Sequence, residues 1–394
     1  MDKEYGESLE KLAQNGRLRE LKPLSGRNGC RVEYNGTEML NLTSNDYLGL
    51  AGDRLLHRKF YDQLSSENIV DNYGLGSASS RLLTGDSANA QRLEQVLCTQ
   101  YNKEACLLFN SGYHANIGVL PALLGKNDLI LSDKLNHASI MDGMRLCKAK
   151  FKRYRHCDYA HLKSLLYEYR SGYQRVIIVS ESIFSMDGDV ADIVQLVELK
   201  KEFNCQLYID EAHGIGLYGQ NGLGVVEQLG QLQEVDIVMG TFGKALASIG
   251  AFVLCSEIIK KYLINHSRSL IFTTALPPVV LFWNQYIFKK MVAMHEQRKH
   301  LHDISLRLRK SLTEKALKTA GTTNIVPVMI GDDSLAVLLA EKMQKKGYLI
   351  FPVRPPAVPE GTARFRLSLT ADMEWCDIKS VAQEISSLFK TVIT

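Results

Sequence analysis

Short apolar runs recur between about residues 105 and 255, each ending in a polar or glycine-bearing tip and followed by a helical stretch. Such runs, alternating with helices, are typical of a mostly parallel β-sheet with helices on both faces. We therefore predict an α/β fold for this part of the chain. The runs assigned to strands are ACLLFNSG, DLILSD, RVIIVSES, CQLYIDEAHG, VDIVMGTFGK and AFVLCS.

The pattern changes on both sides of this region. The first 50 or so residues predict a helix and a short extended segment, and a long helical stretch is predicted over roughly 277–318. Three extended segments (NIVPVMI, YLIFPVRPPAVP and ARFRLSLT) and a final helix near 374–390 follow. We expect an N-terminal segment (1–50), a large domain (51–280) and a smaller C-terminal α+β domain (281–394).

Composition narrows the class of protein. The chain has 394 residues, 45% apolar and 23% charged, which is ordinary for a folded protein of about two domains. A net charge of +4 is too small and dispersed to predict a nucleic-acid partner. The N-terminus has no apolar signal region, and no segment approaches 18 apolar residues, so we expect neither a signal peptide nor a membrane span.

Eight cysteines are scattered along the chain. None forms a C-x-x-C pair or lies near paired histidines at zinc spacing, so we expect no metal site. Thiols distributed in this way indicate a reducing compartment, which predicts a cytoplasmic protein.

Two motifs point to other functions and are set aside. Gly214–Gly219 fits the dinucleotide pattern G-x-G-x-x-G, but the following Gln-Asn-Gly-Leu-Gly breaks the helix which that fingerprint requires. Residues 210–213 spell the helicase tetrad DEAH, yet no G-x-x-x-x-G-K-[ST] loop accompanies them.

Polar side chains gather where the predicted strands end. Ligands of open α/β sheets bind beyond the carboxyl ends of the strands, so these positions are the candidate site. The side chains at or just after the strand ends are Ser111, Asp133, Ser185, Asp210, His213, Thr241 and Lys244.

Lys244, Asp210 and His213 carry the most specific chemistry. A lysine at the end of a buried strand favours the neutral amine that forms imines, although a lysine reaching out to solvent would look the same. A buried carboxylate at Asp210 suits a protonated ring nitrogen, the alternative being a helix N-cap. His213 can reach the same ring or be an ordinary core histidine.

Two further positions suit a flat, phosphorylated cofactor. His137 could stack on a ring or cap a helix at the surface. Ser111-Gly112-Tyr113 opens a predicted helix, whose N-terminal amides bind phosphate, or forms an ordinary turn. Thr241, three residues before Lys244, could also bind a phosphate.

Seven sequence pieces together carry a family resemblance, which extends from about residue 8 to 385. They make the chain resemble the α-oxoamine synthases, a family of fold-type-I pyridoxal-phosphate (PLP) enzymes. That resemblance implies a large domain with a mostly parallel seven-stranded sheet. The pieces are SNDYLGL (44–50), FNSGYHAN (109–116), NHAS (136–139), SESIFSMDGD (180–189), IDEAHGIG (209–216), TFGKA (241–245) and RPPAVPEGTARFRLSLT (354–370).

The resemblance implies a role for each cofactor-site residue. Lys244 is expected to hold the cofactor as a Schiff base, Asp210 to pair with the pyridine nitrogen, and His213 to contact the phenolic oxygen. His137 is expected to stack on the ring, with Ser185 nearby. The residues expected at the phosphate are Gly112, Tyr113, Thr241 and, across a homodimer interface, Thr273 and Thr274.

Substrate contacts are implied in the same way. Arg366 is expected to bind the amino-acid carboxylate and Arg19 to lie in the acyl site. Ala357 stands where many family members have threonine, which leaves the acyl-chain preference open. The other expected substrate contacts are Asn45, Ser77 and Arg354.

The motifs are most similar to those of the biotin-pathway branch of the family. That branch implies decarboxylative condensation of L-alanine with a pimeloyl thioester, carried on CoA or on an acyl carrier protein. Two alternatives stay open: a glycine-using relative such as 2-amino-3-ketobutyrate CoA ligase, and a non-catalytic PLP-binding subunit. The intact lysine, aspartate and histidine set argues against the second.

Overall fold

The computed structural model describes residues 1–393, which form two compact units. The larger unit comprises Leu55–Phe184 and Val190–His295. The smaller unit comprises Met1–Arg54, Ser185–Asp189 and the chain from Glu296 onward. Domain boundaries at residues 50 and 280 stay a prediction.

Fourteen strands build the sheets of the two units. They are β1 (Ser25–Asn28), β2 (Arg31–Tyr34), β3 (Thr37–Asn41), β4 (Ala105–Phe109), β5 (Asp128–Asp133), β6 (Lys150–Tyr154), β7 (Arg175–Glu181), β8 (Gln206–Asp210), β9 (Ile237–Thr241), β10 (Ala251–Cys255), β11 (Ile325–Gly331), β12 (Tyr348–Leu349), β13 (Pro352–Val353) and β14 (Ala363–Ser368).

Within residues 1–393, fifteen α-helices accompany them. They are α1 (Asp2–Gln14), α2 (Arg54–Tyr61), α3 (Ala88–Tyr101), α4 (Gly112–Leu123), α5 (Ala138–Leu146), α6 (Tyr159–Tyr169), α7 (Ile193–Glu202), α8 (Val225–Gln228), α9 (Glu257–His266), α10 (Arg268–Ile271), α11 (Pro278–Val292), α12 (His295–Glu314), α13 (Asp333–Gln344), α14 (Trp375–Ile378) and α15 (Val381–Ile393).

A seven-stranded sheet of order β4-β10-β9-β8-β7-β5-β6 forms the centre of the larger unit. Six of these seven strands run in the same direction, and β10 runs in the opposite direction. The predicted mostly parallel α/β sheet is therefore confirmed. Every residue of β4, β5, β9 and β10 is buried. Burial on both faces explains why these strands read as continuous apolar runs rather than as alternating ones.

The edge strand β6 was missed by the apolar pattern. Its sequence, KFKRY, leaves four of five residues exposed, and only Tyr154 is buried. A charged edge strand discourages pairing with other chains, but it carries no continuous hydrophobic signal.

The long helical stretch predicted over roughly 277–318 consists of two consecutive helices in the structure. α11 ends at Val292 and α12 begins at His295. The amides of Ala293 and Met294 donate to carbonyls three residues back, which tightens the last turn of α11 and closes it. No glycine or proline marks this break in the sequence.

The smaller unit has the predicted α+β character. One sheet has the order β1-β2-β3-β12 and the other the order β11-β14-β13. β14 lies in the middle of the second sheet and is antiparallel to both neighbours. Phe365 and Leu367 of β14 are buried, as are Ile325 and Val328 of β11. This buried core fixes the position of Arg366 on β14.

The rejected dinucleotide motif does not open a helix. The chain turns after Gly219, and the next helix, α8, begins only at Val225. Among residues 1–393, no helix is long and apolar enough to cross a membrane.

Candidate active site

Asp210, His213 and Lys244 lie together at one edge of the central sheet. Asp210 ends β8, and Lys244 follows β9 by three residues. Because β8 and β9 are parallel neighbours, their carboxyl ends meet at the same edge. Lys244 Nζ lies 2.7 Å from His213 Nε2, and Asp210 and His213 are each only 4% exposed. The lysine therefore contacts a buried imidazole instead of extending alone into solvent.

Two hydrogen bonds hold the Asp210 carboxylate. Its Oδ1 accepts from the backbone amide of Ala212 at 2.9 Å, and its Oδ2 accepts from the side-chain amide of Asn116 at 3.0 Å. The residues after Asp210 form turns, so within the described chain this aspartate does not cap a helix. Neither bond comes from a cation, which leaves the carboxylate charge available to a cationic ligand.

Asn116, on α4, was missed by sequence reasoning. It is 1% exposed, donates also to Ser139 Oγ at 2.9 Å, and accepts from the Tyr208 hydroxyl at 2.5 Å. A Cβ on Gly143 would lie 2.5 Å from the Asn116 carbonyl oxygen, so glycine there permits the close crossing of α5 over α4. The available signal was its place in FNSGYHAN, one helical turn after Gly112.

His137 caps α5, as the alternative interpretation of the sequence expected. Its Nδ1 accepts from the Ser139 amide at 3.2 Å, while the side chain stays exposed. Partial desolvation lowers the pKa of the imidazole, against a raising effect of Asp210. Capping fixes one ring nitrogen and leaves an accessible, neutral aromatic ring, so stacking on a cofactor stays a compatible prediction.

Two buried glutamates beside these residues were also missed. Glu181 ends β7, directly opposite Asp210 in the sheet register, and accepts from the His137 amide. Burial, and then the charge of Asp210, raise its pKa well above the usual value. Glu211 accepts from Ser182 Oγ and the Val226 amide, and burial raises its pKa to about 7. Their only sequence signal was their position at the strand ends.

The N-terminus of α4 faces Thr241. Ser111 caps this helix by accepting from the His114 amide, and Gly112 is its first residue. A Cβ on Gly112 would lie 3.9 Å from Thr241 Cβ, so the two residues border the same space. Thr241 Oγ1 donates to the Gly250 carbonyl at 2.9 Å, and the Tyr113 hydroxyl donates to Asp142 at 2.9 Å.

Ser77, Thr273 and Thr274 lie near the same helix start. The Asn110 side-chain amide donates to Thr273 Oγ1 at 3.1 Å and to the Thr274 carbonyl at 2.8 Å. Ser77 Oγ donates to the Ala275 carbonyl at 2.8 Å. The Gly/Ser-rich loop that contains Ser77 (residues 74–81) is thus hydrogen-bonded to the segment IFTTALPP (residues 271–278) within this chain. A role toward a second subunit stays a prediction.

The smaller unit holds a second group of predicted residues. Arg366 donates to the Tyr47 hydroxyl at 2.9 Å and to the Ser185 carbonyl. The Tyr47 hydroxyl donates in turn to Asn45 Oδ1 at 3.1 Å. Two predicted site residues, Arg366 and Asn45, are therefore joined through a buried tyrosine. Ser185 meets Arg366 through its backbone carbonyl, and its place beside a cofactor ring stays a prediction.

Arg19 and Arg354 form a cationic pair in the same unit. Arg19 donates to the Pro355 carbonyl at 3.0 Å and Arg354 to the Leu18 carbonyl at 3.5 Å, so each reaches the segment of the other. Burial, and then the charge of Arg19, lower the pKa of Arg354. Both line a cavity of about 700 Å³. The Ala357 amide donates to the Arg354 carbonyl at 3.1 Å, which places Ala357 in the turn beyond the pair.

The larger unit fits PLP by its donor chemistry. It offers an amine at Lys244, a buried carboxylate at Asp210, and the N-terminal backbone amides of α4. These groups match an aldehyde, a pyridinium nitrogen and a phosphate.

Comparisons with known proteins agree with this assignment. A family model described as aminotransferase class I and II matches residues 37–385. The 8-amino-7-oxononanoate synthase of Chlorobaculum parvum is 48% identical over 379 residues, which cover 96% of this chain and 97% of that protein.

Solved structures share the fold over the whole chain. The serine palmitoyltransferase of Sphingomonas wittichii has a TM-score of 0.89 and 29% identity, and the match covers 99% of this chain and 97% of that one. The 8-amino-7-oxononanoate synthase of Francisella tularensis has a TM-score of 0.76 and 27% identity, covering 90% and 99%. The chain therefore belongs to the aminotransferase class I and II family of PLP enzymes, among relatives named 8-amino-7-oxononanoate synthase.

Proposed function

We propose that the protein condenses L-alanine with a pimeloyl thioester to give 8-amino-7-oxononanoate, carbon dioxide and a free thiol. The observation that carries this proposal is the contact of Lys244 with His213 beside the buried carboxylate of Asp210. The 48% identity to a relative of that name over nearly the whole chain supports the same reaction. The released thiol can belong either to CoA or to an acyl carrier protein.

When bound, PLP supplies an electron sink for the charge left on the substrate α-carbon. We expect Lys244 to hold it covalently, Asp210 to face its ring nitrogen, and His213 to face its phenolic oxygen. His137 and Ser185 would contact the ring. The residues expected at the phosphate are Gly112, Tyr113, Thr241, Thr273 and Thr274.

Lys244 is the proposed base of the reaction. Once the amino group of alanine has displaced it, its amine takes the α-proton and later returns a proton to the product carbon. The 2.7 Å contact with His213 Nε2 fixes where the amine points. A positioned base of this kind contributes about 10²–10⁴-fold to the rate.

Asp210 stabilises positive charge opposite Lys244. Its two hydrogen bonds, from Ala212 and Asn116, orient the carboxylate without neutralising it. A buried carboxylate in this position keeps a facing ring nitrogen protonated, because opposite charges at close range favour the ionised forms.

Arg366 is the proposed partner of the alanine carboxylate. Guanidinium binds carboxylate in a planar, charge-assisted geometry. The bonds to Tyr47 and to the Ser185 carbonyl fix the plane of the group before substrate arrives. His137, through its imidazole, would polarise the thioester carbonyl.

Arg19 and Arg354 favour an acyl chain that ends in a carboxylate. Burial, and after it the repulsion between the two guanidinium groups, lowers the pKa of Arg354. An anion between them relieves the repulsion. A pimeloyl group carries such an anion at its far end, whereas an acetyl group does not, so this pair favours the biotin-pathway reaction over a glycine-using relative.

Turnover with defined substrates tests the proposal. The purified protein is incubated with PLP and either alanine plus pimeloyl-CoA or glycine plus acetyl-CoA, and the products are identified by mass spectrometry. We expect 8-amino-7-oxononanoate from the first pair. Faster turnover of the second pair would assign the chain to the glycine-using group. PLP binding without turnover of either pair would assign it to the non-catalytic subunits.

We also propose a cytoplasmic homodimer with shared active sites. Mixing Lys244→Ala with Thr274→Ala, each first assayed alone, tests this, since one site of a mixed dimer would regain both residues. Activity of the mixture above the sum of the two separate variants supports shared active sites. Activity equal to that sum contradicts them. Sedimentation of the unmixed protein gives the oligomeric state.

A further inference from the structure

A cluster of three chemically different donors lies at the far edge of the central sheet, apart from the PLP residues. Asp133 ends β5, while His156 and Cys157 follow the edge strand β6. β5 and β6 are parallel, and Asp133 pairs with Tyr154 in register, so the three side chains meet where both strands end. Strands lie about 4.8 Å apart, so the loop after β6 is roughly 14 Å from the end of β8 and Asp210.

The three ligand atoms are close enough to share one ion. His156 Nδ1 lies 2.9 Å from Asp133 Oδ1, and Cys157 Sγ lies 3.8 Å from His156 Nδ1 and 3.7 Å from Nε2. One donor atom from each residue falls within 4.8 Å of the others. Metal–sulfur and metal–nitrogen bonds of about 2.3 and 2.0 Å place tetrahedral ligand atoms about 3.5 Å apart, close to the sulfur–nitrogen separation.

We propose that Asp133, His156 and Cys157 form a binding site for a divalent ion of the zinc class. A thiolate, an imidazole and a carboxylate are the three side-chain donors that Zn²⁺ uses in proteins. Hard ions such as Mg²⁺ and Ca²⁺ prefer all-oxygen ligands, so they do not suit this set. Binding would replace the thiol proton and the His156–Asp133 hydrogen bond with metal bonds. The thiol proton would pass to solvent, and the imidazole would bind as the neutral tautomer that carries its proton on the other ring nitrogen.

The site is held in place before any ion binds. Asp133, whose side chain is 1% exposed, accepts from the amides of Leu135 and Cys157. The His156 ring packs edge-on against Phe184, with the ring centres 4.4 Å apart. Supporting contacts of this kind orient metal ligands and raise their affinity.

An ion can enter from solvent. The His156 side chain is 25% exposed and Cys157 is half-buried as a free thiol. Three protein donors leave a fourth tetrahedral position for water. Spacing rules did not predict the site because its carboxylate lies 23 residues before the histidine and is supplied by a different strand.

Metal titration of the PLP-loaded full chain tests the proposal. Zn²⁺ binding is measured by calorimetry, and Co²⁺ is added separately to record its visible bands, whose intensity reports four-coordinate thiolate ligation. We expect saturation at one equivalent. Cys157→Asn removes the sulfur while asparagine tolerates the left-handed backbone of this position (φ 49°). It should weaken Zn²⁺ binding by about tenfold or more and abolish the cobalt bands.

Controls separate this site from adventitious thiol binding. Cys376→Ser removes an exposed cysteine elsewhere and should leave the titration unchanged. His156→Gln should weaken binding as Cys157→Asn does, with circular dichroism and cofactor absorbance confirming a folded protein. If His156→Gln does not fold, Cys157→Asn alone decides. The absence of saturable Zn²⁺ binding, or equal affinity in Cys157→Asn, would overturn the proposal.

Discussion

The side-chain amide of Asn116 donates to Asp210 Oδ2 at 3.0 Å, inside a core where both residues are almost fully buried. This bond connects α4, which begins at the proposed phosphate site, to the strand that carries the proposed partner of the ring nitrogen. The same amide group accepts from Tyr208. Asn116 is therefore expected to be a positioning residue for Asp210.

Replacing Asn116 with alanine should destabilise the protein and loosen the cofactor. The change leaves the Tyr208 hydroxyl and Asp210 without their buried partner, at a cost of about 1–3 kcal/mol in the free energy of unfolding. Urea unfolding and the rate of PLP loss on dialysis measure the two effects. Ser139→Ala removes a hydroxyl that contacts the same amide and the His137 ring but leaves the Asn116–Asp210 bond in place, so it is the control and should retain PLP. Unchanged PLP retention in Asn116→Ala would contradict the positioning role.

Replacing Lys244 with alanine should abolish covalent attachment of PLP. Since this lysine is also the proposed base, turnover should fall by about 10²–10⁴-fold or more. Borohydride reduction followed by peptide mass spectrometry reports attachment at the lysine. Lys134→Ala, an exposed lysine at another strand end, should behave like the parent protein. A reducible visible band that survives in Lys244→Ala would remove this lysine from the mechanism.

Glu211 should make the protein less stable as the pH rises. Its pKa is about 7 in the folded state and near 4.5 in the unfolded chain, because burial disfavours the charged form. The folded state then binds the proton more tightly, so this stabilisation is complete below pH 4.5 and is lost as the pH rises through 7. The full loss corresponds to roughly 3 kcal/mol.

Glu211→Gln isolates this effect. Glutamine does not titrate. Its single side-chain oxygen can still accept from the Val226 amide, and its NH2 group can donate to Ser182 Oγ, because a hydroxyl can turn to accept instead of donate. Urea unfolding of both proteins between pH 5 and pH 8.5 should show the free-energy difference changing in favour of the variant as the pH rises. Parallel pH profiles would exclude Glu211 as the titrating group.

Replacing Arg19 with alanine should impair the acyl substrate selectively. Loss of one charge-assisted hydrogen bond of about 1.5–3 kcal/mol predicts a KM for pimeloyl-CoA that is roughly tenfold to hundredfold higher. The KM for alanine should not change. Arg17 lies two residues before Arg19 and forms ion pairs with Asp333 and Glu360, so Arg17→Ala controls for local unfolding. Equal effects on both substrates, or in both variants, would place Arg19 outside the acyl site.

Replacing Arg366 with lysine should impair the binding of alanine and not that of the acyl substrate. Lysine keeps the charge but cannot reproduce the planar contact with a carboxylate or the bonds to Tyr47 and the Ser185 carbonyl. We expect the KM for alanine to rise by about tenfold or more while that for pimeloyl-CoA is unchanged. Steady-state kinetics with each substrate varied in turn measures this. An unchanged KM for alanine would reassign its carboxylate to another residue.

The sequence by itself determined the strands whose signal is local. Six of the seven central strands appear as apolar runs because both faces of those strands are buried, and the polar residues that end them follow from the same pattern. Lys244, Asp210 and His213 could therefore be predicted from adjacent stretches of chain.

Only the tertiary structure decided which distant residues meet. The charged edge strand β6 has no apolar run, and the break between α11 and α12 has no glycine or proline signal. The contact of Asn116 with Asp210 depends on how α4 packs against the central sheet, and the contact of His156 with Asp133 depends on β6 pairing with β5. Strand order and helix crossing are set by packing of the whole core, so no local pattern of residues encodes them.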